Sequence, residues 1–203
     1  MIKLKSLLVE EDKIESSPSN STFQMYHGGK RWTRIPTEIQ SSKNGRYEAG
    51  VGIYFTNSYN TARRYGKGSR VVHLVELDRN FKNLNDVEIP TSDVVSFLKS
   101  LRGLKHRTDI INDIVSNATR RNIDHTNADT LNNLIVNYES GAGDVGIKIA
   151  NYFVSRGADA SIDIRHGGEF WVVVVNPNII KKVSVINPAS ITSDFPFMLP
   201  TIK

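Results

Sequence analysis

The sequence predicts an α+β fold in which helices pack on one side of a mixed β-sheet, and two observations predict it. Segments before residue 78 and after residue 159 read as short strands, whereas residues 91–156 between them carry apolar residues at helical spacing. The 203 residues, 39% of them hydrophobic, are enough to bury a core without covalent staples. Cysteine is absent, which excludes disulfides, thiolate metal sites and a cysteine nucleophile.

Taken in order, Met1–Glu15 sets Ile2, Leu4, Leu7, Leu8 and Val9 among lysines and acids and predicts a short amphipathic helix. Ser16–Ser21 reads as a linker, giving residues 1–21 as a peptide and linker and 22–203 as the domain. Phe23, Met25 and His27 alternate with Gln24 and Tyr26 as a strand that Gly28-Gly29 ends. Ile53–Thr56 is a second strand, entered through Gly50-Val51-Gly52, and Ser58 opens a helix running through Ala62 and Tyr65. Val71–Leu77 is a third strand, rich in β-branched residues. Four helices follow in the block 91–156, on the stripes Val94/Leu98/Leu101, Ile110/Ile114, Leu131/Ile135/Tyr138 and Val145/Ile149/Phe153. Strands return at Ala160–Ile164, Glu169–Val175 and Val183–Ile186, with a turn at Arg165–Gly168.

The formal charge is +5 and the basic residues are scattered in pairs, which favours polyanionic partners only weakly. No apolar run approaches the roughly 20 residues that span a bilayer, so no membrane partner is expected. The apolar part of the N-terminal peptide is too short for a secretory signal. The histidines show no metal-ligand spacing, and neither a phosphate loop nor a nucleophile elbow is present. No metal is expected.

Three segments carry chemistry together. They are Tyr26-His27-Gly28-Gly29; Gly50-Val51-Gly52-Ile53-Tyr54-Phe55-Thr56 with the later Ala62-Arg63-Arg64-Tyr65; and Glu169-Phe170-Trp171 leading into Val172–Val175. In order and spacing they resemble the ADP-ribosyltransferase fold, in the branch of diphtheria toxin and the poly-ADP-ribose polymerases. The resemblance covers about residues 22–186. It implies a split mixed sheet, with the helical block inserted between the second and third motif strands, and NAD as a substrate.

Cleavage of the nicotinamide–ribose bond passes through an oxocarbenium-like state, so such a site holds the ribose, grips the nicotinamide and sets negative charge near the forming cation. The resemblance implies that His27 bonds a ribose hydroxyl and that Gly28 lets backbone approach the carboxamide. It implies that Tyr54 and Tyr65 clamp the nicotinamide, that Thr56 or Ser58 ties the helix start, and that Glu169 is the acid. Here the chain departs from the family. Counting back from Asn176-Pro177, the acid position holds Trp171, and Glu169 lies two residues earlier on the same face of the strand. A register slip, a displaced acid and a binding module without transfer activity all fit this pattern.

Residues 1–10, ending in Leu8-Val9-Glu10, are similar to the capsid-targeting peptides of proteins carried in the heads of large tailed phages. The two resemblances together imply a monomeric mono-ADP-ribosyltransferase, packaged in a virion and acting in the host cytoplasm on a macromolecular acceptor, protein or nucleic acid. The rival readings are an inactive NAD- or nucleotide-binding module and a nucleic-acid-binding virion structural protein.

Overall fold

The computed structural model of the chain describes residues 21–40, 48–66, 71–186 and 198–200. The expected N-terminal helix, and with it the packaging peptide, lies outside the described residues.

The fold is α+β. Strands β1 (Thr22–Gly29), β2 (Ile53–Thr56) and β3 (Val71–Asp78), with helix α1 (Tyr59–Tyr65) between the last two, precede a short strand β4 (Glu88–Pro90). Helices α2 (Thr91–Ser100) and α3 (Arg107–Arg121) follow, then strand β5 (His125–Asn127) and helices α4 (Ala128–Asn137) and α5 (Asp144–Ser155). The chain returns to the sheet through β6 (Ala160–Ile164), β7 (Phe170–Val174) and β8 (Ile180–Ile186). The six-stranded sheet has the order β6-β7-β2-β1-β3-β8. Its named pairings are all antiparallel, where a mixed sheet was expected. The parallel contact among the described residues is an isolated bridge between Asn83 and Ala160. The helical return leads the chain into a hairpin, β6–β7, that joins the open side of β2, and hairpins pair antiparallel.

Local chemistry explains several boundaries. The Ser58 side chain accepts from the Thr61 N–H and starts α1 as its N-cap. Asn127 caps α4 in the same way through the Asp129 N–H. Gly28 and Gly29 end β1, as the glycine pair suggests, and pair with Val72 and Val71 as its last two residues. The helical block holds its four expected helices, but it also contains β5, which pairs with β4 in a small two-stranded sheet. Residues 125–127 are too few to show a strand period in sequence.

Apolar burial falls into connected clusters. Phe23 and Met25 from β1, Phe55 from β2, Val75 and Leu77 from β3, and Phe170, Val172 and Val174 from β7 form the core on one face of the sheet. On the other face Tyr26 packs under α1 with Tyr59, Ala62, Val72 and Leu199. Helices α2–α5 bury their stripes in a cluster of their own, which meets the sheet at Val51, Ile53 and Val175.

The pairing of β1 decides where a site can form. It pairs with β3 along its whole length, Thr22↔Asp78 to Gly29↔Val71. With β2 it shares the single pair Tyr26↔Thr56, beyond which the two strands diverge.

Gly28 sits where α1 crosses β1. A Cβ there would lie 1.6 Å from the Ala62 carbonyl oxygen and 2.5 Å from its carbon. These are helix backbone atoms that cannot yield alone, so the missing side chain serves helix packing. Gly28→Ala is expected to push α1 off the sheet and to cost at least about 2 kcal/mol, as overpacking of a rigid contact does. A urea midpoint unchanged from wild type would show that α1 yields freely.

Candidate active site

The divergence of β1 from β2 opens a cleft of about 440 Å³, a volume in the range of small-molecule sites. His27 and Gly28 of β1, Tyr54 and Thr56 of β2, and Tyr65 of α1 all line it. These residues, from His27 to Tyr65, share the cavity with Trp171 of β7. Glu169 is not a wall residue. Its carboxylate is bonded to three that are.

His27 spans the gap left by the missing ladder. Its Nδ1 lies 2.8 Å from the Tyr54 carbonyl oxygen. A carbonyl only accepts, so Nδ1 carries the proton and Nε2 is left as an acceptor. The ring stacks on Trp32, with centroids 4.2 Å apart at 18°. Burial holds the His27 pKa down from its ordinary 6.5 to about 4, against the opposing pull of the Tyr54 carbonyl. The ring is therefore neutral at pH 7. His73, its register partner on β3, is fully buried and accepts from the Trp32 N–H at Nε2, and burial lowers its pKa too.

The two tyrosines meet the same third ring. Tyr54 and Tyr65 each contact Trp171 edge-on, with centroids 5.8 Å and 5.9 Å away at 74° and 89°. The Tyr54 hydroxyl donates to the Gly50 carbonyl at 2.6 Å and accepts from the Ala49 N–H at 3.1 Å, which ties it to its own entry loop. Tyr65 is half exposed and donates to Glu48 Oε2 at 3.0 Å. Burial and the neighbouring Glu48 carboxylate raise its pKa. The Arg165 guanidinium lies 4.1 Å over the Trp171 ring as a cation–π contact.

Glu169 stands immediately before β7. Its Oε1 accepts from the Thr56 hydroxyl at 3.0 Å and from the Trp171 indole N–H at 2.7 Å, and its Oε2 accepts from the Thr61 hydroxyl at 3.0 Å. The Thr56 hydroxyl also accepts from the Ser58 N–H, so its own proton is directed at Glu169. Ser58 is the helix cap, and Thr56 links that helix start to the acid.

Sequence reasoning did not single out several residues that build this site. Trp32 covers His27. Thr61, three residues past the cap in the first turn of α1, reaches Glu169. Buried Asn57 fixes the backbone on either side of Glu169, with its amide donating to the Gly168 carbonyl and accepting from the Phe170 N–H. Asn132 of α4 donates to the Ala49 carbonyl and braces the loop that orients Tyr54. The position of Thr61 one turn into a capped helix was the available signal. The contacts of Trp32, Asn57 and Asn132 all bridge distant segments and have no local signature.

Among the described residues no group of three or more His, Asp or Glu side chains is arranged to hold a metal ion, and no helix is long and apolar enough to cross a membrane. Comparison of the chain with protein-family models, curated proteins and solved structures gives no match.

The depressed His27 and His73 pKa values make a stability prediction. The unfolded chain takes up protons near pH 6.5, whereas folded His27 resists them to about pH 4. The stability from these neutral rings is thus fully present above about pH 6.5 and is lost as the pH falls toward 4. The melting temperature is expected to drop between pH 7 and pH 5, before most carboxylates titrate, and to drop less in His27→Gln. Equal slopes in the two proteins would show that His27 is not held neutral by the fold.

Proposed function

We propose that this chain is an NAD-dependent mono-ADP-ribosyltransferase acting on a macromolecular acceptor, protein or nucleic acid. One observation carries the reading: the divergence of β1 from β2 gathers His27, Tyr54 and Tyr65 around one cleft, with the Glu169 carboxylate bonded into its wall. These are the residues that the family resemblance names, and nothing but the fold brings them together.

The residues suit the substrate. A flat, cationic nicotinamide ring matches a cleft walled by Tyr54, Tyr65 and Trp171. Neutral His27 offers Nε2 as an acceptor for a ribose hydroxyl. As the bond between ribose C1′ and nicotinamide breaks, its electron pair leaves with nicotinamide, and positive charge develops on the ribose. The Glu169 carboxylate supplies negative charge for that state without reorganising, because three donors already hold it. The acceptor's nucleophile then bonds C1′ and gives up its proton, for which Glu169 is the available base. With the peptide at residues 1–10, the setting is delivery from a phage head into the host cytoplasm.

Trp171 at the expected acid position favours a second reading, an NAD-binding module without catalysis. Nicotinamide release separates the two.

NAD is expected to stabilise the protein by about 2.7 kcal/mol at 100 times Kd, read as a rise in melting temperature. Glu169→Gln is expected to lower nicotinamide release and transfer at least about a hundredfold with NAD affinity retained, since the charge acts mainly in the transition state. Tyr65→Ala, at a half-exposed position, is expected to weaken NAD binding about tenfold with little effect on the unliganded fold. No thermal shift at millimolar NAD overturns NAD binding. A shift without nicotinamide release leaves the binding module as the function.

A further inference from the structure

We infer that Trp171 is a positioning residue that fixes the carboxylate of Glu169, an inference that rests on the transferase reading. Side chains at 169 and 171 fall on the same side of the strand, so the indole can reach back along it, and its N–H donates to Glu169 Oε1 at 2.7 Å. Glu169 follows Gly167 and Gly168, both at positive φ, and Asn57 fixes its backbone on either side but not its side chain. A glutamate there has three free side-chain torsions. Three donors from three elements remove that freedom: Thr56 of β2, Thr61 of α1 and Trp171 of β7.

The indole is firmly held. Trp171 is 8% exposed, meets Tyr54 and Tyr65 edge-on, and carries Arg165 on its ring. It also has a single polar role, because an indole N–H donates and never accepts. The residue that stands where the acid was expected therefore serves the acid. The displaced glutamate is held in place from the position it vacated.

Two measurements test this. In Trp171→Phe the ring remains and the N–H is lost. The expected result is a fall in kcat on the order of tenfold to a hundredfold, the usual range for a lost hydrogen bond to a charged group, with KM for NAD within about twofold of wild type. The second is proton–nitrogen NMR of the folded wild-type protein, whose two tryptophans give two indole signals. The Trp171 indole proton is expected downfield and protected from exchange, and Glu169→Gln is expected to move it upfield while the Trp32 signal stays. An unchanged kcat in Trp171→Phe overturns the inference, and so does a rise in KM alone, which would make Trp171 an NAD contact. An indole signal that ignores Glu169→Gln overturns it even if Trp171→Phe does not fold. Absence of NAD turnover by the wild-type protein with the indole signal behaving as expected removes the transferase reading, and the inference with it, while leaving the hydrogen bond established.

Discussion

The site depends on how little β1 and β2 share. Two neighbouring strands in a sheet normally satisfy each other's backbone groups along their length, and here they do so at the one pair Tyr26↔Thr56. Past that pair the His27 ring donates to the Tyr54 carbonyl. The same side chain therefore closes the backbone account of the split and stands in the cleft the split creates. A full β1–β2 ladder would satisfy Tyr54 more simply, but it would leave no cavity between the strands.

What keeps the strands apart lies on either side of them. Helix α1 rests on β1 at Gly28, close enough that no Cβ fits, and it sends Thr61 to Glu169 and Tyr65 to the cleft. From the helical block, Asn132 holds Ala49 and crowds Gly50, whose φ of 109° and missing Cβ allow that approach. The loop so braced binds the Tyr54 hydroxyl at Ala49 and Gly50 and presents Glu48 to Tyr65. The inserted helices are thus joined to the cleft by the part-buried hydrogen bond from Asn132 to Ala49, not merely tethered between strands. Their own core meets the sheet at Val51, Ile53 and Val175, beside the same loop.

The sequence made the elements legible where a period had room to show itself. The alternation of Phe23, Met25 and His27, the cap at Ser58 and the four helical stripes all correspond to elements of the fold. Gly28-Gly29 reads as a strand end, and β1 does end there, with β3 pairing to both glycines. The three-residue strands β4 and β5 are too short to carry a period, and the direction of the sheet pairings is a property of how the chain returns. At the site, residue identity was readable and its reason was not always so. Gly28 is there, but α1 requires it. Glu169 is there, but its carboxylate reaches the cleft through Thr56, Thr61 and Trp171, contacts that span up to 113 residues of sequence.

Electrostatics ties these features to the proposed substrate. NAD carries its positive charge on the nicotinamide ring, and breaking its bond to ribose moves that charge onto the sugar, so a cationic imidazole beside the ribose would oppose binding and reaction alike. Burial under Trp32 and against Phe55 makes the protonated state of His27 costly, and its one proton is committed to the Tyr54 carbonyl. Donors gathered at Glu169 are hydroxyl and indole groups, which orient its carboxylate without setting a formal positive charge beside it. Arg165 lies on the Trp171 face and pairs with Asp163. The cleft therefore keeps a neutral histidine at the split and the Glu169 carboxylate fixed behind three residues of its wall.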